Sequence, residues 1–342
     1  MTCDVGGWPL VAPAPARTDS RQGTPGSPPS ISVVIAAYRS AAWVSRALDS
    51  VAAQTVQPLE VLVCDDGSDD DTAAVVTRHR CGARLLRHER NRGAGAARNT
   101  AVRAARGEVV VLLDSDDTWD GRRLEALSAV LSARPDLDIV TTDAWMVEDG
   151  ARVGRADELQ PFEVEDQQGA ILVRNFVFGH AAVRRPVWLA AGGFAEDLRV
   201  GEDWVGWQQM IRSGARAGMV ALPLADYRRR GDSVTGDRGR YLRDRLELLE
   251  RAARRDDLRP TERAALRHLC RQERLKTARH ALAADAPDTR RRWRAVARDT
   301  TAPRRTRALA SLAAVSPRLG RLALVGRRAL RQDPAPVPQR SG

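Results

Sequence analysis

The chain has 342 residues, 43% of them apolar, and a formal net charge of +11; this allows one large domain with an accessory segment, or two domains, around a sizeable core. Every basic residue except Lys276 is arginine, a compositional bias that by itself names no partner. Cys3, Cys64, Cys81 and Cys270 form no CxxC pair, which excludes a disulfide framework or a thiolate zinc site, and no run of 18 apolar residues is present to span a membrane.

Residues 1–29 are rich in Pro, Gly, Ser and Ala and are expected to form a disordered leader. They lack the basic-then-apolar order of a secretory signal. A cytoplasmic location is therefore expected, with peripheral contact at the inner face of the plasma membrane left open. Order is expected to begin at Ile31-Ser32-Val33-Val34-Ile35, a run that reads as a buried parallel strand. Trp43, Ala47, Leu48 and Val51 recur at helical spacing, and Glu60 to Cys64 reads as the second strand. A turn at Asp65-Asp66-Gly67-Ser68 leads into a helix from Asp69 to Val76, followed by a short strand at Arg84 to Arg87. The segment Ala94 to Ala105 is Ala-rich and helical, and Val109 to Leu113 is the most apolar strand. Asp120 is expected to cap a helix with Leu124, Leu127, Val130 and Leu131 on one face, before a further strand from Asp138.

This alternation predicts an α/β domain: an open, mostly parallel sheet flanked by helices, over 30–235. Ligands of such sheets bind beyond the carboxyl ends of the strands, and Tyr38, Asp65-Asp66 and Asp114-Ser115-Asp116-Asp117 all follow strand ends. From about residue 241 the pattern changes. Leu242, Leu246 and Leu249, then Leu266, Leu269, Leu275 and Leu282, form helical stripes among arginines, with Pro260 near a helix start. An Arg-rich helical region over 236–331 and a disordered tail over 332–342 are expected.

Four constellations carry chemistry. Leu112-Leu113-Asp114-Ser115-Asp116-Asp117 delivers three carboxylates into a turn, where they repel unless a cation sits among them. Hard oxygen ligands suit Mg²⁺ or Mn²⁺, which take further ligands from substrate phosphates; the plainer reading is an acidic turn. Val63-Cys64-Asp65-Asp66-Gly67-Ser68 supplies carboxylates for a base or a ribose, or forms an Asx turn. Asn91-Arg92-Gly93-Ala94-Gly95-Ala96-Ala97-Arg98-Asn99 opens a helix whose N-terminus favours anions, or is an ordinary helix start. Gly192-Gly193-Phe194 and Gly201-Glu202-Asp203-Trp204 set two carboxylates among aromatics, where one is tuned as a general base or caps a helix. His180, after Phe176-Val177-Phe178-Gly179, reads as a packed or acceptor-contacting histidine rather than a catalytic one.

Taken in order, Ser32-Val33-Val34-Ile35-Ala36-Ala37-Tyr38, Asp65-Asp66-Gly67-Ser68, Asn91-Arg92-Gly93 with Ala97-Arg98-Asn99, Leu113-Asp114-Ser115-Asp116-Asp117 and Gly193-Phe194 with Glu202-Asp203 resemble the family 2 glycosyltransferases of the Rossmann-like GT-A fold, over residues 31–232. The resemblance implies an inverting, metal-dependent transferase. Ala36 and Tyr38 would line the base and Asp66 would recognise it, with a UDP-sugar the expected donor. Gly93 and Arg98 would lie against the nucleotide. Asp114 and Asp116 would be the DxD pair, with Asp116 the direct ligand of a Mg²⁺ or Mn²⁺ ion. Asp203 would be the catalytic base, with Glu202 beside it on the donor. Tyr227-Arg228 and Ser233 fall where relatives have a loop over the donor diphosphate. The acceptor implied is a glycan or a lipid-linked glycan of cell-envelope or polysaccharide synthesis.

Two departures stand out: Tyr38-Arg39 replaces the family's usual Tyr-Asn, and the Gln-x-x-Arg-Trp motif of processive synthases is absent, which points to a non-processive enzyme. Three other readings compete. One is a degenerate nucleotide-sugar-binding scaffold, which the complete acidic set opposes. Another is a nucleic-acid binder, which the scarcity of aromatics among the C-terminal arginines opposes. The third is an amphipathic membrane-surface element at 304–331, interrupted by Pro317 and Gly320.

Overall fold

A computed structural model of the chain describes residues 2–15, 27–229, 238–300 and 302–321. The chain divides into two compact units, residues 1–236 and 237–342.

The first unit runs β1 (Thr2–Val5), β2 (Trp8–Val11), β3 (Ile31–Ala37), α1 (Val44–Ala52), β4 (Glu60–Asp65), α2 (Thr72–Arg78), β5 (Arg84–Arg87), α3 (Ala94–Ala104), β6 (Val109–Asp114), β7 (Thr118–Trp119), α4 (Arg123–Ala133), β8 (Ile139–Glu148), β9 (Ala151–Arg155), α5 (Ala156–Leu159), α6 (Gln167–Val173), β10 (Ala182–Arg184), α7 (Arg185–Ala190), α8 (Glu202–Arg212) and β11 (Ala217–Arg228). The strands form one sheet in the order β1-β2-β11-β8-β10-β6-β3-β4-β5, with β7 paired to β11 and β9 to β8.

The α/β class is as expected, but the sheet is mixed rather than mostly parallel. Strands β5, β4, β3 and β6 are parallel neighbours. Strand β10 is then wedged antiparallel between β6 and β8, and β8 and β11 run parallel to each other beyond it. Val33, Val34 and Ile35 of β3 and Val109 to Leu113 of β6 are wholly buried, because a central strand of such a sheet is covered on both faces. Helix α1 buries Val44, Ala47, Leu48 and Val51, the one-face spacing of an amphipathic helix. Asp120 does not cap α4. Its carboxylate accepts from the backbone N–H of Arg122, and Arg122 holds the capping position.

The expectation of a disordered leader over 1–29 is corrected at its start. Thr2 to Val11 form a hairpin whose second strand pairs with β11, Val11 opposite Met219 and Leu10 opposite Val220. Gly6 and Gly7 have φ of 60° and 84°, the left-handed backbone that a two-residue hairpin loop requires. Leu10 is fully buried in the main core. Composition averaged over 29 residues hides this strand pair; residues 16–26 lie outside the described residues. Leu10→Ala is expected to cost about 2–5 kcal/mol, read as a lower urea midpoint. An unchanged midpoint would show that the hairpin adds nothing to the domain.

Among the described residues the second unit is all helical: α9 (Arg238–Ala253), α10 (Pro260–Ala283), α11 (Thr289–Arg298) and α12 (Arg304–Val315). Pro260 opens α10, where a missing N–H costs nothing. Ala278 and Leu282 of α10, Trp293 and Val296 of α11 and Ala310, Ala313 and Ala314 of α12 share one core. The tail expected at 332–342 lies outside the described residues. No helix among the described residues is long and apolar enough to cross a membrane.

Candidate active site

Three parallel strands end side by side in polar residues. Strand β3 runs out at Ala37 and Tyr38, β4 at Asp65 and Asp66, and β6 at Asp114. The pairing of Ala36 with Asp114 and of Ala37 with Asp65 sets these ends level. Ala36 is partly exposed at this edge and Tyr38 is well exposed beyond it. Arg39 has a positive φ of 48°, a backbone state asparagine tolerates more readily than arginine. Its guanidinium grips Asp69 through two 2.7 Å bonds, an exposed pair.

Asp66 is buried and heavily engaged. One oxygen accepts from the Arg92 backbone N–H at 2.9 Å and faces His88 Nδ1 at 2.7 Å; the other accepts from the Gly93 N–H at 2.7 Å. The Asp66 carboxylate therefore fixes the turn into α3, and Gly93 is its partner. A carboxylate has about four acceptor positions, so one remains on the Asp66 oxygen that faces Gly93.

Helix α3 is tied to the segment that leads into α8. The Asn99 side chain pairs with the Phe194 backbone in both directions, at 2.8 and 2.9 Å. Arg92 bonds Glu196 at 2.8 Å. Gly95 permits a close approach, since a Cβ there would lie 2.6 Å from the Ala195 carbonyl oxygen and 3.1 Å from Glu202 Cγ. That glycine serves a helix contact. Phe194 in turn packs on Trp188 and Trp207, with ring centroids 4.3 and 4.9 Å away.

Arg98 is the hub. Its guanidinium, nearly buried, donates to Asp114 at 2.5 Å and to Glu202 at 2.8 Å. Burial opposes its charge, but Asp114 and Glu202 outweigh burial and hold its pKa above the ordinary value. Burial likewise works against Asp114, yet Arg98 and then His180 keep its carboxyl below the usual range. Arg98 and Glu202, expected on the nucleotide, are thus engaged with each other and with Asp114.

Asp203 sits in the first turn of α8, next to Glu202. It does not cap the helix; Gly201 occupies that position with a left-handed φ of 75°. One Asp203 oxygen accepts from the Trp204 N–H at 2.7 Å and the other from Asn175 Nδ2 at 3.1 Å. Burial first, then the charge of Glu202, pushes the Asp203 carboxyl up to about 6, against the pull of Arg98. That is a value suited to a general base near neutral pH. The sequence reading missed Asn175, which no local motif marks.

Asp117 and His180 form a second buried unit. His180 Nε2 lies 2.8 Å from one Asp117 oxygen, and the Arg228 backbone N–H donates to the other at 2.6 Å. Arg228 Nε also donates to the Asp116 carbonyl at 3.2 Å, so the end of β11 closes over the acidic turn. Ser233 lies outside the described residues. His180 is packed, as its sequence context suggested, and its Nδ1 has no hydrogen-bond partner among the described residues.

Ligand atoms of Asp114, Asp117 and His180 lie within 4.8 Å of one another; Asp116, the ligand expected from sequence, is not part of that group. The donor chemistry fits a divalent cation. Burial pushes the Asp117 carboxyl up to about 6, opposed by His180, with the charges of Asp114 and Asp116 adding to the rise, and a cation relieves that repulsion. A separate cavity of about 680 Å³, lined by Leu59, Glu60, Arg80 and Arg106 among others, borders none of these motifs.

Comparison with known proteins agrees with this geometry. The family model described as "Glycosyl transferase family 2" matches residues 32–188. The succinoglycan biosynthesis protein ExoO of Rhizobium meliloti is 33% identical over 210 residues, 58% of this chain and 60% of its own length; the chain thus spans less than two thirds of that relative. The structure of Staphylococcus aureus TarS 1-349 in complex with UDP-GlcNAc superposes with a TM-score of 0.66 at 19% identity, covering 90% of this chain and 93% of that one. The mannosyltransferase PcManGT from Pyrobaculum calidifontis, in complex with GDP-Man and Mn²⁺, gives 0.54 at 22% identity, covering 90% and 89%. These two likenesses establish the fold. The part of the chain that carries Asp66 and Asp114, residues 32–188, thus matches glycosyl transferase family 2.

Proposed function

We propose that the chain transfers a sugar from a nucleotide-diphosphate donor to an acceptor hydroxyl, inverting the anomeric carbon. The supporting observation is the chain of contacts Asp114–Arg98–Glu202, which brings the acidic strand end of β6 next to a carboxylate raised to about 6 on Asp203. Asp203 removes the proton of the acceptor hydroxyl. The acceptor oxygen bonds to the anomeric carbon as the bond from that carbon to the donor phosphate breaks, and the nucleoside diphosphate leaves with the electron pair. Asn175 and the Trp204 N–H hold both Asp203 oxygens in place.

Asp114 and Asp116 would hold a Mg²⁺ or Mn²⁺ ion, which offsets charge on the departing diphosphate when bound. Arg98 already occupies one Asp114 oxygen, so Asp116 is the principal ligand in this reading. Tyr38 offers an exposed ring at the end of β3 for stacking on the base, and the remaining acceptor position of Asp66 suits a uracil imide. A UDP-sugar is the favoured donor; the UDP-GlcNAc held by the similarly folded TarS is in keeping with it. A glycan or lipid-linked acceptor of envelope or polysaccharide synthesis accords with the succinoglycan role named for the Rhizobium relative.

Calorimetry tests the donor and the cation together. UDP, GDP and dTDP would be titrated with and without Mn²⁺ into the wild type and Asp116→Ala. One nucleotide is expected to bind with Mn²⁺ and to weaken tenfold or more in the variant. Binding indifferent to both the metal and Asp116 would remove the cation from the proposal, and no binding at all would remove the transferase.

A further inference from the structure

We propose that the outward faces of α11 and α12, with the turn that follows α12, form a docking surface for an anionic lipid bilayer. Residues 286–321 contain ten arginines and two acidic residues, Asp288 and Asp299. Both acids are taken: Asp288 pairs with Arg291 and Arg292, and Asp299 lies 3.5 Å from Arg274. Arg290, Arg294, Arg298, Arg304, Arg305 and Arg318 are exposed and form no ion pair with any described residue. Arginine bias explains their number, but not that both acids of the segment are already paired.

The second observation is apolar. Helix α12 buries Leu309, Ala310, Ala313 and Ala314, so its opposite face, with Ala308, Ser311, Leu312 and Val315, points to solvent. Beyond Ser316 the chain re-enters a helical turn at 317–321. Arg321 pins that turn to the end of α10, donating to the Leu282 carbonyl at 3.0 Å and pairing with Asp285. Leu312, Val315 and Leu319 are left 39%, 76% and 50% exposed. Of nine large apolar side chains exposed among the described residues, three fall within these eight positions.

Apolar tips beside unpaired cations match a bilayer interface, where burying the tips and attracting anionic headgroups act together. Nucleic acid is disfavoured by the same surface, because bases stack on exposed aromatics and the tryptophan of this region, Trp293, is wholly buried. The surface lies within the second unit and does not depend on the transfer reaction.

Flotation of the full chain with phosphatidylcholine vesicles, with and without phosphatidylglycerol, tests the proposal. The chain is expected to float only with phosphatidylglycerol. The combined variant Leu312→Ser, Val315→Ser, Leu319→Ser and the combined variant Arg294→Gln, Arg298→Gln, Arg304→Gln should each weaken binding roughly tenfold or more, while their circular-dichroism melts stay at the wild-type temperature because every substituted site is exposed. Absence of flotation by the wild type, or unchanged flotation of the serine variant, would overturn the proposal. So would duplex DNA that displaces the chain from the vesicles, since it would assign the arginines to nucleic acid.

Discussion

Asp203→Asn is expected to reduce turnover on the order of a hundredfold or more, the scale on which a positioned proton acceptor contributes, with donor binding little changed. The substitution keeps the shape of the side chain and leaves an oxygen for the Trp204 N–H; rotation of the Asn175 amide then meets the new amide group. The variant should therefore fold, and its defect should be chemical. In the wild type the Asp203 carboxyl is raised to about 6 by burial and by Glu202. A base works only when deprotonated, so turnover should fall as pH drops through about 6.

The same shift has a signed consequence for stability. A carboxyl whose folded pKa lies above its unfolded value binds more protons folded than unfolded between the two. Stability then declines as pH rises from about 4 to about 6. The amide of the Asp203→Asn variant does not titrate and carries no such cost. The wild type should lose stability relative to Asp203→Asn across that window by up to about 3 kcal/mol, measured by urea titrations at several pH values. Near-wild-type turnover in the variant would dismiss Asp203 as the base. A flat stability difference with pH would show that the carboxyl is not raised, whatever its catalytic part.

How much of this was legible in the sequence depends on the range of the interaction. Runs such as Val109 to Leu113 announce buried strands because burial on both faces demands uninterrupted apolar residues, and the acids that follow them mark the edge where ligands bind. The β10 strand, only Ala182 to Arg184, is too short for any periodicity to register. Strand β11 contains Pro223, and its pairing with β8 shifts register on either side of that residue, which breaks the alternation that identifies a strand. The N-terminal hairpin had a local signal, Gly6-Gly7 followed by Trp8-Pro9-Leu10-Val11, outweighed by the composition around it.

In the site, strand-end acids were legible and their partners were not. The Arg98 contact with Glu202 spans 104 residues and that of Asp203 with Asn175 spans 28. Spacing along the chain carries no trace of either. Asp66 shows the limit from the other side: its position in the motif suggested a ligand contact, while most of its hydrogen-bonding capacity is spent on the Arg92–Gly93 backbone and His88.

Arg98 is where stability and chemistry meet, and Arg98→Met is expected to be the most damaging single substitution in the site. It removes the cation between Asp114 and Glu202 and leaves two carboxylates largely withdrawn from water, with His180, 3.9 Å from Asp114, a poor substitute for the lost guanidinium. Breaking a buried pair in this way costs about 3–5 kcal/mol, a fall in melting temperature on the order of 10 °C for a domain of this size. The sign with pH is opposite to that of Asp203. The Asp114 carboxyl is held below its ordinary value mainly by Arg98, so the stability that Arg98 confers is full at neutral pH and is lost as pH falls through the folded pKa of Asp114. The gap between wild type and Arg98→Met should therefore be largest near pH 7 and shrink in acid. Arg98→Lys supplies a folded comparison, since a single ammonium keeps the charge but lacks the planar fork that serves two carboxylates at once. Arg98 also lowers the Asp203 pKa, and a misplaced charge should lower it less. The acid limb of turnover in Arg98→Lys should move above about 6, a displacement that a loss of packing alone would not produce. If Arg98→Met melts like the wild type, water already compensates these carboxylates and the guanidinium is no hub. If Arg98→Lys keeps the wild-type acid limb, Arg98 braces the fold without tuning the base.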